Sequence, residues 1–155
     1  MINEKLLVKK AFEAQKRSYA PYSNFNVGAA LLGTNGKIYE GCNIENAAFT
    51  PTNCAERTAF FKAVSEGQKE FSAIAIVGGK NGAKEDEAEY CAPCGVCRQV
   101  MMEFCDPKTF KVYLAKTEDD YIEYRKEHIN HYFSKYDRKH LENVLMKIIS
   151  ENNLL

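Results

Sequence analysis

A chain of 155 residues, 45% hydrophobic and 27% charged, has the size and mixture of one soluble globular domain. Lysine plus arginine and aspartate plus glutamate both number 21, so there is no basic excess of the kind that a nucleic-acid binder or an anionic-membrane protein carries. No apolar run reaches the length of a membrane span, and Met1 to Lys10 is too charged for a secretory signal. A cytoplasmic protein is expected.

Along the chain, Leu6, Leu7, Ala11 and Ala14 repeat at helical spacing, predicting a helix over Asn3 to Ser18 with Asn3 as its N-cap. Phe25 to Leu32 and Lys37 to Cys42 read as two strands, joined through Asn35-Gly36 in a hairpin turn. A polar loop leads into a helix over Cys54 to Glu66, where Ala55, Ala59 and Ala63 form a small-residue stripe suited to close packing on a sheet. Ala73 to Val77 reads as a strand buried on both faces. Lys80 to Glu89 reads as a charged surface loop. Cys94 to Phe104 reads as a helix, Phe110 to Ala115 as a strand and Tyr121 to Tyr124 as an edge strand. This order predicts one α/β domain with a mixed sheet covered on both sides. Leu141, Val144, Leu145, Ile148 and Ile149 mark an amphipathic helix near the C-terminus. His128, His131 and His140 precede or enter it, and His128 and His131 read as solvent-facing.

Six cysteines need a reason in a reducing compartment. Cys42 and Cys105 read as small buried hydrophobes. The others fall in two segments, Thr52-Asn-Cys54-Ala-Glu56-Arg57 and Cys91-Ala-Pro-Cys94-Gly-Val-Cys97-Arg98-Gln99. Thiolates from Cys54, Cys94 and Cys97 would hold one Zn²⁺ per chain and leave a fourth tetrahedral position open, as a catalytic zinc requires. A rival arrangement adds Cys91 and closes the site as a structural Cys₄ zinc. If Cys54 and Cys94 each open a helix, both N-termini stabilise thiolate charge. Arg57 could hydrogen-bond a ligand sulfur from outside the coordination sphere and restore Lewis acidity. Glu56, two residues after a ligand but not itself one, stands where a carboxylate can relay a proton. A ligand-x-Glu motif followed by Pro-Cys-x-x-Cys is a known signature of zinc-dependent deaminases.

Four segments carry a more specific resemblance: Tyr19-Ala-Pro-Tyr-Ser-Asn-Phe25-Asn-Val-Gly28-Ala-Ala, Gly41-Cys-Asn43-Ile-Glu45-Asn-Ala, Asn53-Cys-Ala-Glu-Arg-Thr-Ala59 and Pro93-Cys-Gly-Val-Cys-Arg-Gln99. In this order, across about the first 115 residues, they resemble the cytidine deaminases of pyrimidine salvage, in the three-cysteine homotetrameric branch. The resemblance implies a three-layer α/β/α domain with a five-stranded mixed sheet, and hydrolysis of cytidine or 2′-deoxycytidine to the uridine with release of ammonia. It implies zinc on Cys54, Cys94 and Cys97, and Glu56 carrying a proton from the attacking water to N3 of the base and on to the leaving amine. It further implies Phe25 stacking on the pyrimidine, the Asn43-Ile44-Glu45 segment holding the 3′-hydroxyl, and the Ala55 N–H contacting the base carbonyl. Active sites in that branch are completed by neighbouring chains, so a homotetramer is implied.

Two departures stand out. Phe49 occupies a loop position where the family often has tyrosine reaching a neighbour's site. The family's usual C-terminal segment is replaced by Ile129-Asn-His-Tyr-Phe133, in which Phe133 could be lent to an adjacent subunit. Residues 1–125 read as the deaminase-like catalytic part, and 126–155 as a divergent segment of the same domain. Taken alone, Phe25 reads as a core aromatic, Glu45 as a solvated loop acid and Asn43 as a turn residue. Deamination of another cytosine-bearing compound and a non-catalytic zinc module are the competing functions; the latter leaves Glu56 unexplained.

Overall fold

The computed structural model describes residues 2–82 and 89–124. The 126–155 segment, with its apolar stripe, its histidines and Phe133, lies outside the described residues, as does most of the charged loop. The described elements are α1 (Glu4–Gln15), β1 (Phe25–Gly33), β2 (Ile38–Cys42), α2 (Ala55–Ser65), β3 (Phe71–Lys80), α3 (Gly95–Phe104), β4 (Lys111–Ala115) and β5 (Tyr121–Tyr124). Asn3 caps α1 as its sequence position suggests, its side chain accepting from the Leu6 N–H at 3.0 Å.

Five strands form one sheet in the order β2-β1-β3-β4-β5. β3 and β4 run parallel, with α3 as the crossover between them, and every other pairing is antiparallel. The β3 strand is longer than its apolar run, because Gly78, Gly79 and Lys80 continue the backbone pairing with Val27, Asn26 and Phe25.

Strand alternation sorts the helices onto two faces. Gly28 faces α1, and a Cβ there would stand 2.1 Å from the Ala11 carbonyl oxygen. Gly41 faces α2, and a Cβ there would stand 2.4 Å from both the Ala55 carbonyl oxygen and the Ala59 nitrogen. Gly41 pairs with Ala29, the neighbour of Gly28, so the two close approaches lie on opposite faces of the sheet. The alanine stripe of α2 therefore packs as its composition suggests, backbone close to backbone.

On the α1 face, Leu7, Val8 and Ala11 pack against Ala30, Ala75, Val77 and Tyr113. On the other, Phe60 of α2 meets Phe104 of α3 at a centroid separation of 6.1 Å and Phe71 of β3 at 5.0 Å. This aromatic cluster ties α2 to α3 and so fixes the relative position of their N-termini. The three-layer α/β/α reading holds.

Candidate active site

Cys54 is the N-cap of α2 and Cys94 the N-cap of α3. Helix N-termini present backbone N–H groups with no intrahelical acceptor and a positive end of the dipole, both of which favour a thiolate. At α3 this is explicit: the Cys94 side chain accepts from the Cys97 N–H at 3.5 Å. Pro93 precedes the cap, Cys94 itself is extended, and Cys97 then lies one helical turn on, its sulfur 3.5 Å from that of Cys94. Cys54 Sγ stands 3.9 Å from Cys94 Sγ, and all three sulfurs lie within 4.8 Å of one another. Sulfurs on a tetrahedral zinc with bonds of about 2.3 Å stand about 3.8 Å apart, so the donor set fits that ion in size and in chemistry.

Cys91 is not part of this group. It lies in the loop before Pro93 and packs against Gly78 instead, which removes the closed Cys₄ arrangement. Burial pushes its thiol up to about 12, helped by the charges of Glu56 and Cys54. Cys105 is pushed up to about 12 by burial alone. Cys42 is half-buried rather than part of the core, its Sγ near the Arg17 carbonyl at 3.3 Å.

The neighbouring Cys97 thiol, with Arg57 and Cys94 and against burial, holds Cys54 down at about 5. The neighbouring Cys54, with burial, pushes Cys97 up. Arg57 Nη2 stands 3.7 Å from Cys54 Sγ and donates to the Thr52 carbonyl at 3.1 Å, while its Nε is buried with no hydrogen-bond partner. A divalent ion with three thiolates carries one negative charge, and the Arg57 guanidinium is placed to offset it.

Glu56 is only 4% exposed, an unusual burial for a carboxyl. Burial pushes it up to about 7, assisted by charge on Cys54 and opposed by its own backbone N–H, the Cys97 thiol and Arg57. Ala55, the first residue of α2, is fully buried and has a backbone N–H with no intrahelical acceptor.

The remaining sequence-predicted residues gather on the strand ends and the loop before α2. Ile44 forms a parallel bridge with Tyr19 and an antiparallel one with Asn53, so the 43–53 loop is anchored at both ends. The Asn43 side chain accepts from the Val27 N–H at 2.8 Å and donates to the Phe25 carbonyl at 2.9 Å. Glu45 Oε2 accepts from the Tyr22 and Ser23 N–H groups at 2.9 and 3.2 Å. Hydrogen bonds from Ser23 and Tyr22 hold the Glu45 carboxyl below the usual carboxylate range. These tethers were invisible in the sequence except as a polar Tyr-Ser-Asn turn. Phe49 is 91% exposed and lines a surface cavity of about 430 Å³ with Tyr22, Glu45 and Thr52.

Further residues escaped the sequence reading. Thr58 Oγ1 accepts from the Asn53 side chain and donates to the Cys54 carbonyl, each at 3.1 Å, linking the loop to the ligand-bearing helix. Gly78, lacking a side chain, lets both Cys91 and Phe25 approach its backbone. No helix among the described residues is long and apolar enough to cross a membrane.

Comparison with known proteins agrees with this geometry. Residues 1–114 match the family described as the cytidine and deoxycytidylate deaminase zinc-binding region. The chain is 50% identical to cytidine deaminase of Sporosarcina psychrophila over 114 residues, covering 74% of this chain and 78% of that one. It is 48% identical to that of Halalkalibacterium halodurans over 119 residues, covering 77% and 84%. The crystal structure of cytidine deaminase from Burkholderia pseudomallei superposes with a TM-score of 0.70 at 43% identity, covering 83% and 96%. That from Mycobacterium tuberculosis gives 0.63 at 33% identity, covering 72% and 85%. With its three-thiol group, its buried glutamate and these relatives, the chain belongs to the zinc-dependent cytidine deaminase family.

Proposed function

We propose that this protein hydrolyses cytidine and 2′-deoxycytidine to uridine and 2′-deoxyuridine with release of ammonia, in pyrimidine salvage. The observation that carries the reading is the burial of Glu56 two residues from a metal-ligating thiol. Cys54, Cys94 and Cys97 hold zinc, which when bound supplies a Lewis-acidic position that makes water a better acid. Glu56, with its carboxyl pushed up to about 7, can both take and give a proton near neutral pH. It takes one from the attacking water and delivers it to N3 of the cytosine. The water oxygen bonds to C4 of the base. Glu56 then carries the remaining hydroxyl proton to the amino nitrogen, and the C4–N bond breaks as the C4 carbonyl forms. One water is consumed for each ammonia released.

Phe25 stacks on the pyrimidine, and the Ala55 N–H donates to the base carbonyl. Asn43 and Glu45 hold the 3′-hydroxyl. Each already makes two hydrogen bonds to the protein, and each retains further capacity: Glu45 its second oxygen, Asn43 a lone pair and an N–H. Arg57 offsets thiolate charge. We further place the protein in the cytoplasm as a homotetramer, with Phe49 and Phe133 reaching neighbouring sites; the exposure of Phe49 is what such a role needs.

Replacing Glu56 by Ala separates this reading from a non-catalytic zinc module. Turnover of cytidine is expected to fall by orders of magnitude while zinc stays near one per chain. Retained turnover would remove Glu56 from the reaction.

A further inference from the structure

Strand register puts Phe25, Val27 and Ala29 on one face of β1, and Gly78 and Ile76 on the same face of β3, since Val27 pairs with Gly78 and Ala29 with Ile76. This is the α2 face, because Ala29 also pairs with Gly41, against which α2 packs. At Gly78 that face has no side chain, and two others converge on the space. A Cβ at Gly78 would stand 2.7 Å from both Cβ and Sγ of Cys91 and 3.0 Å from Cε1 of Phe25. Contacts under 3.0 Å are not sustained between carbon and sulfur, so any side chain at this position must displace one neighbour or both. Gly78 has an ordinary backbone conformation. Its lack of a side chain serves space rather than a turn.

Beside these residues lies a cavity of about 460 Å³ lined by Phe25, Gly78, Lys80, Tyr90 and Cys91. Phe25 is half-buried, with open volume beside its ring, so the close packing of Cys91 and Gly78 limits where the ring can sit. The Cys91 thiol, pushed up to about 12 by burial, behaves as a neutral packing group at physiological pH.

We propose that Gly78 and Cys91 are positioning residues for substrate binding: the sulfur fills the space left by the missing side chain and together they set the Phe25 ring. The proposal rests on the reading of Phe25 as the surface on which the pyrimidine stacks. A methyl group at position 78 pushes the ring or the sulfur out of place and weakens stacking. Loss of the sulfur leaves the ring free to move toward the cavity. When Gly78→Ala is combined with Cys91→Gly, which removes both the Cβ and the Sγ that would stand 2.7 Å from the new methyl, that methyl occupies the vacated space.

The test is a cycle of Gly78→Ala, Cys91→Gly and the double variant, assayed with cytidine as zinc-loaded full-length protein. Base–aromatic stacking sets the scale, and KM is expected to rise roughly tenfold for Gly78→Ala and a few-fold for Cys91→Gly. In both, kcat and zinc content are expected to stay within about twofold of wild type. The double variant is expected to return to within about twofold of the wild-type KM. The shift in melting temperature on adding uridine should follow the same order. An unchanged KM in Gly78→Ala, or a double variant no better than that single one, overturns the proposal. Should Gly78→Ala alone not fold, recovery of folded protein in the double variant supports the fit, and failure to recover contradicts it. A wild type that neither converts cytidine nor is stabilised by uridine overturns the parent reading as well. An active wild type with an additive cycle overturns this inference alone.

Discussion

The Asn43 side-chain amide donates to the backbone carbonyl of Phe25 at 2.9 Å, holding the first residue of β1 from a loop eighteen positions along the chain. Its oxygen meanwhile accepts from the Val27 N–H, so one side chain extends the sheet edge where β2 has ended. Asn43 thus shapes the backbone beneath Phe25 as well as facing the proposed ribose position. Replacing it by Ala leaves a donor and an acceptor of β1 without their partners, at a cost of about 1–3 kcal/mol. A lowered melting temperature together with a raised KM for cytidine is expected. An unchanged melting temperature with a raised KM would mean that Asn43 serves substrate alone.

The two glycines at the helix–sheet contacts have the same steric problem but different consequences. Gly28→Ala pushes on α1, which carries none of the proposed site residues, whereas Gly41→Ala pushes on α2 at Ala55 and Ala59, beside Cys54 and Glu56. Overpacking of this kind costs about 1–3 kcal/mol or more. Both variants are expected to melt several degrees lower. Only Gly41→Ala is expected to lose zinc affinity and kcat. Equal loss of activity per degree of melting in the two would contradict the assignment of faces to functions.

Thiol reactivity gives an independent reading of the cysteines. In metal-free protein at neutral pH, Cys54 is expected to alkylate ahead of Cys91 and Cys105, whose thiols stay protonated up to about 12. Zinc should protect Cys54 and leave the slow modification of Cys91 unchanged. Mass spectrometry of iodoacetamide adducts checks this order, and zinc protection of Cys91 would restore it as a ligand.

Zinc removal should also depend on acidity in a definite direction. The ligands bind as thiolates, so protons compete with the metal and lower pH favours its release. Cys97, pushed up by the neighbouring Cys54 and by burial, resists losing its proton without metal. With a fixed chelator concentration, zinc loss and a lower melting temperature are expected to appear first at the acidic end of a pH series. Activity should return on adding zinc at neutral pH. Release that grows toward higher pH would contradict a thiolate site.

Much of this arrangement was legible because it rests on local rules. Asn3 as a cap, the alanine stripe of α2 and the Cys94-x-x-Cys97 turn each express a backbone geometry that a few adjacent residues determine. Cys91 stays outside the ligand group although it lies three residues before Cys94, as its place in the loop ahead of Pro93 suggests. The ends of β3 escaped the apolar pattern because Gly78 to Lys80 are held by pairing with β1 rather than by burial. Asn43, Glu45 and Gly78 owe their settings to partners far away in sequence, which no local pattern displays.

The most direct test is conversion of cytidine by the purified, zinc-replete protein, followed by the fall in ultraviolet absorbance and by released ammonia. Stoichiometric formation of uridine and ammonia, abolished by chelation and restored by zinc, is the expected result. Folded protein with one zinc per chain that leaves cytidine and 2′-deoxycytidine untouched would contradict the account.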